Sequence, residues 1–126
     1  MHLALGQVPV ILGNVSENLK IMEDSIVEAK TKSKENIDLI AFPELFITGY
    51  NLKDNYNSVS EKIPSNGPAQ EGMLTLAKKH NITILTGIVE RAKKSLFNSA
   101  IMIGPKGHIG HCRKQYLPNF GPFEEK

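Results

Sequence analysis

Apolar positions along the chain change their spacing several times, and each change marks an element. His2 to Val8 (HLALGQV) alternates loosely between apolar and polar residues, which predicts a strand. The run PVILGN breaks it. Asn14 and Glu17 then have the spacing of a capping box, in which each side chain satisfies a free backbone N–H. Leu19, Met22, Ile26 and Ala29 follow at helical spacing with Lys and Glu between them, so a helix is expected from about Val15 to Lys34. IDLIAF, Ile37 to Phe42, is short and almost continuously apolar, the pattern of a strand buried on both faces. Pro43 cannot donate to a ladder, so that strand should end beside it.

Residues 51–68 are polar and rich in Asn, Ser, Pro and Gly, a loop long enough to carry function. Pro68 can open a helix at its first position, and Met73, Leu76, Ala77 and His80 give that helix one face. Ile82 to Glu90 (ITILTGIVE) is β-branched and apolar, another buried strand. LFNSAIMIG and HIGHCRK flank a tight turn at Gly104 to Gly107 and should form a hairpin. The stretch QYLPNFGPFEEK reads as loop. The order strand, helix, strand, helix, strand, strand, strand predicts an α/β fold with a helical layer on a mixed sheet.

Composition narrows the classes. The 126 residues suit one domain, spanning 1–126, with an ordinary 40% hydrophobic and 22% charged content. A net charge of +2, with Lys and Arg dispersed, argues against nucleic-acid or membrane partners. No apolar run nears the ~18 residues of a membrane span, and the N-terminal residues do not read as a signal peptide. A single cysteine, Cys112, excludes an internal disulfide framework and fits a reducing cytoplasm, the expected location.

Candidate chemistry centres on Glu44. It directly follows a predicted buried strand, and carboxyl ends of strands are where α/β folds build sites. Apolar surroundings would raise its pKa and suit it to general-base work. The plainer alternative is a glutamate turned outward and paired with a lysine. Arg113 and Lys114 end a strand and, taken alone, read as solvated; Glu124 and Glu125 read as a polar terminus. Cys112 shares a strand face with Lys114, whose charge can lower a thiol pKa. His108 and His111 are three apart on a strand, so they should face opposite sides, and no metal site is expected.

Two stretches carry a resemblance. FPELFITGY and RKQYLPNFGPFEE resemble, in order and separation, the first two signatures of the carbon–nitrogen hydrolase (nitrilase) superfamily. LALGQVPVILGNVSENL is similar to its first strand and helix, and LAKKHNITILTGIVER to the helix and strand between the two signatures, so the likeness covers essentially the whole chain. The resemblance implies half of an αββα sandwich and a Glu–Lys–Cys triad. Glu44 stands in the place of the general base and Lys114 in that of the oxyanion-stabilising cation. Glu125, with Glu124 as the alternative, takes the place of a second, orienting glutamate, and Tyr50 falls where members place a residue near the pocket. It implies a small-molecule amide or nitrile substrate, no cofactor and no metal, and a homo-oligomer.

The family's nucleophilic cysteine lies a few tens of residues after the lysine, beyond Lys126, and Cys112 does not match that position. Family domains are about twice this length. The chain is therefore expected to be an N-terminal portion, truncated before the cysteine, inactive alone, with an unpaired edge and an uncovered face. Amide hydrolysis is the leading function. One alternative is the glutaminase portion of a glutamine-dependent NAD synthetase, whose lysine loop LPNFGPFEE resembles, although Phe120 stands where those enzymes usually carry Tyr and GYNLKDN fits a stand-alone amidohydrolase better. Another is a non-catalytic assembly module.

Overall fold

The computed structural model describes residues 1–117, 119–120 and 123–124. The elements are β1 (Leu3–Leu5), α1 (Val15–Lys32), β2 (Leu39–Ala41), α2 (Tyr56–Val59), α3 (Pro68–His80), β3 (Thr83–Ala92), β4 (Ser95–Gly104), β5 (Gly107–Arg113), β6 (Asn119–Phe120) and β7 (Phe123–Glu124). β1 to β5 form one mixed sheet in sequence order. β1, β2 and β3 run parallel, and β4 and β5 add antiparallel as hairpins. β6 and β7 pair with each other, so the stretch expected to be loop contains a short ladder.

Local chemistry explains the helix ends. Asn14 Oδ1 accepts the Glu17 N–H at 3.1 Å, half of the expected capping box. The other half is absent because the Glu17 carboxylate pairs with Lys20 at 2.6 Å instead. α1 stops two residues earlier than its pattern suggests, because Ser33 turns to extended backbone. Pro68 starts α3 as predicted, and the helix receives its cap from a distance. The buried Glu61 carboxylate accepts the N–H groups of Ala69 at 2.7 Å and Gln70 at 3.3 Å. A carboxylate at a helix N-terminus also meets the positive end of the helix dipole. Asn81, left-handed at φ +47°, closes α3.

The strand register sorts the two faces of the sheet. Ala4, Ile40, Ile84 and Ile103 lie in line across four strands and pack with Met22, Ile26, Met73 and Ala77 of the helices. That is the core. The next row, on the opposite face, is Leu5, Ala41, Leu85 and Met102. Leu3 is 53% and Leu5 76% exposed, while Leu39, Ala41, Leu85 and Met102 are half-buried. IDLIAF was expected to be buried on both faces; among the described residues only its helix side is covered, because no second layer lies on the other. Among the described residues no helix is long and apolar enough to cross a membrane.

An apolar face open to water favours association. The 126-residue chain is expected to elute above its 13.9 kDa monomer mass in light-scattering chromatography, and Leu5→Glu is expected to shift it toward monomer. A clean monomer at micromolar concentration would count against that expectation.

Candidate active site

The turn that carries Glu44 begins where β2 ends. Phe42 N–H still bonds to Leu85 O at 2.9 Å, and Pro43 then ends the pairing. The chain folds back tightly: Phe46 N–H reaches Pro43 O at 3.2 Å, and Gly49 N–H reaches Leu45 O at 2.7 Å. This needs Leu45 at φ +49°, a left-handed conformation that costs a non-glycine residue about 1–3 kcal/mol. Several contacts hold it there. Phe42 and Phe46 stack at 4.8 Å beneath the turn. The fully buried Asn18 side chain donates to Ile11 O at 2.8 Å and Ile47 O at 3.0 Å, tying the turn to the start of α1.

Gly87 of β3 is the third anchor. Its N–H donates to Pro43 O at 3.3 Å, and its carbonyl accepts Ile47 N–H at 3.5 Å. A Cβ at this position would lie 2.1 Å from Leu45 N and 2.8 Å from Glu44 Cα. Only glycine lets the Glu44 turn approach the sheet this closely.

Glu44 faces the open side of the sheet. Lys114 Nζ donates to its Oε1 at 2.8 Å across 70 residues of sequence. Asn98 Nδ2 donates to the same oxygen at 2.5 Å. Lys114 N–H bonds to Asn98 O at 2.8 Å, one step beyond the end of β5. Three residues from three chain segments therefore close a ring of hydrogen bonds. The Glu44 side chain is 47% exposed and that of Lys114 31%.

This corrects one expectation. Glu44 was expected in apolar surroundings with a raised pKa. What burial there is does push its pKa up, but the hydrogen bonds from Lys114 and Asn98 and the lysine charge outweigh it and hold the carboxyl below its ordinary value. Burial is the largest single influence, and it is the two donors and the lysine charge together that reverse it.

Arg113 points to the other face and is not simply solvated, as a strand end would suggest. Its guanidinium forks onto the buried Glu90 carboxylate at 2.9 and 2.6 Å and lies 3.8 Å over the Phe97 ring. Ser99 Oγ donates to Glu90 at 2.7 Å. The Arg113 hydrogen bond, against burial and with help from Ser99, holds Glu90 below its ordinary pKa. Its stabilisation is present above the ordinary glutamate pKa and is lost as pH falls through the depressed one. This network fixes the strand residue immediately before Lys114.

The remaining candidates fall out differently. Tyr50 is half-buried on the segment leaving the Glu44 turn, and its carbonyl accepts the Tyr56 hydroxyl. Glu125 lies outside the described residues, and the side chain of its alternative, Glu124, is likewise not described. Cys112 shares the face of Lys114, opposite Ala100, and is exposed rather than packed. His108 and His111 do not face opposite sides. The β4–β5 register steps from Met102↔Gly110 to Ile103↔His108, so Ile109 is an extra residue. That bulge brings His108 to the helix side, where His111 already lies, with Nδ1 of His111 3.2 Å from Nε2 of His108. Among the described residues no group of three or more ligating side chains could hold a metal. Asn98 was missed from sequence; its only signal was an amide within the apolar alternation of β4.

Comparison with known proteins agrees with the motifs. The sequence model described as "Carbon-nitrogen hydrolase" matches residues 2–126. The chain is 36% identical over 90 residues to a protein named "Nitrilase" from Pyrococcus abyssi, covering 70% of this chain and 34% of that protein. It is 31% identical over 125 residues to a glutamine-dependent NAD(+) synthetase from Acinetobacter baylyi, covering 98% of this chain and 22% of that one. The crystal structure of an N-terminal amidase superposes with a TM-score of 0.77 at 28% identity, covering 93% of this chain and 28% of the other. The chain thus spans about a third or less of the length of these relatives.

Proposed function

The chain belongs to the carbon–nitrogen hydrolase family, and from that premise we propose that it supplies the base and the cation of a thiol-dependent amidase. The observation that carries this reading is the 2.8 Å contact between Lys114 Nζ and Glu44 Oε1, made across 70 residues by the two positions that match the family signatures.

The proposed reaction splits a non-peptide C–N bond, an amide first, with the nucleophilic cysteine outside these 126 residues. Glu44 takes the proton of the thiol as sulfur attacks the carbonyl carbon. The carbonyl π electrons move to oxygen, and the resulting oxyanion sits beside the Lys114 ammonium. The C–N bond then breaks. Nitrogen takes the proton from Glu44 and leaves as ammonia or amine, and an acyl thioester remains. Glu44 next deprotonates a water, which attacks the thioester; the acid departs and the thiol is restored. A glutamate with a lowered pKa is ionised at neutral pH and ready to accept a proton. Glu125 as the orienting glutamate and Tyr50 as a pocket residue belong to the same proposal, as do a cytoplasmic setting and self-association.

A second reading names glutamine as the amide. Its support is that the similarity to the Acinetobacter synthetase runs nearly the full chain. Both readings are tested by incubating the full-length protein with primary amides including glutamine, N-carbamoyl compounds and nitriles. Ammonia and acid should appear in equal amounts from amides. Turnover of glutamine alone would favour the synthetase-like reading, and no turnover of any of these would overturn both. The isolated 126-residue chain is expected to be inactive. Amide hydrolysis by that chain, lost on Lys114→Ala, would refute the assignment of the nucleophile to a position outside it.

A further inference from the structure

We infer that Asn98 is a positioning residue that holds Glu44 in place and, with Lys114, reserves one carboxylate oxygen for proton transfer. The inference rests on the amidase reading above and concerns a residue outside its triad. Asn98 and Lys114 both donate to Oε1, and among the described residues Oε2 receives no hydrogen bond. An oxygen that already accepts two donors is the weaker base, since those bonds favour its charged form. Oε2 is left to take the thiol proton.

The two donors are not equivalent. Lys114 has a second duty at the oxyanion, and when its ammonium turns there Glu44 loses a donor. The Asn98 amide carries no charge and has no such duty, so it keeps the carboxylate oriented while the lysine serves the substrate. It is well placed for this. Asn98 lies inside β4, paired with Val89, and its carbonyl accepts the Lys114 N–H at 2.8 Å. One residue therefore sets the backbone position of the cation and the side-chain position of the base.

The test compares Asn98→Ala and Asn98→Asp with the parent in the full-length protein. Both variants keep the backbone carbonyl that accepts Lys114 N–H, so melting temperature should change little. For Asn98→Ala, kcat should fall about 10- to 100-fold with KM nearly unchanged, the scale of a displaced reacting group. Losing a donor to the ionised form raises the Glu44 pKa, so the acid limb of kcat/KM should move to higher pH. Asn98→Asp should move it further, because a second carboxylate then meets Glu44. Carbon-13 titration of the Glu44 carboxyl should move the same way without any turnover being needed. Unchanged kcat and an unmoved acid limb would overturn the inference. So would losses of activity and stability in proportion with no pH shift, which mark a structural role. Glu44→Gln separates the levels: if it keeps amide turnover, the assignment of Glu44 as the base falls and this inference with it; if it is dead while both Asn98 variants behave as the parent, only this inference falls.

Discussion

Glu44→Gln in the full-length protein is expected to lower kcat/KM for an amide by about a thousandfold, within the range for loss of a general base. The amide of Gln can still hydrogen-bond to Lys114 and Asn98 but cannot take a thiol proton. The fold should survive, because the Glu44 side chain is 47% exposed. Lys114→Ala should cost roughly 10²- to 10³-fold, the range for one oxyanion donor. It should also move the acid limb of the rate profile upward, since the lysine is the main influence holding the Glu44 pKa down. The direction follows from charge: without the cation the carboxylate is less favoured, and a higher pH is needed to ionise it. Rates measured through the acid range would check both. A Glu44→Gln variant with parental activity would remove Glu44 from the chemistry.

Gly87→Ala is expected to damage the site from beneath. The added methyl would lie 2.1 Å from Leu45 N, which is backbone and cannot swing aside as a side chain would. Either the Glu44 turn lifts off β3 or β3 bows. Overpacking of this kind costs about 3 kcal/mol, near the upper end of its usual range. If the turn lifts, Glu44 separates from Lys114 and Asn98, and kcat should fall about a hundredfold through misplacement. Thermal unfolding and kcat measured together test this. Parental values for both would show that the turn tolerates the methyl.

The elements were legible because their signals are local. Apolar spacing marked α1 and α3, Pro68 marked a helix start, and the turn at Gly104 to Gly107 marked a hairpin. Glu44 and Lys114 were legible through their signatures, not through their surroundings. What stayed hidden depends on residues far apart in sequence. Nothing next to Asn98 says that its amide reaches the Glu44 turn, 54 residues earlier. The extra residue at Ile109 depends on how β5 registers against β4, and that one residue moved His108 to the face that His111 occupies. The exposure of Glu44 was misjudged for a related reason. An apolar run such as IDLIAF records what a strand would bury, whereas coverage depends on a second layer.

The contact between Glu44 and Lys114 joins groups 70 residues apart, and a ribosome delivers them in that order. At roughly 5–20 residues per second, Glu44 waits about 4–14 s for its cation. Asn98 also arrives late, on the strand before it. Until then the turn holding Glu44 has no lysine to depress its pKa and no strand edge to fix its rotamer. An incomplete chain therefore carries Glu44 without either of its hydrogen-bond donors, and the ring they close forms only after three neighbouring strands have paired.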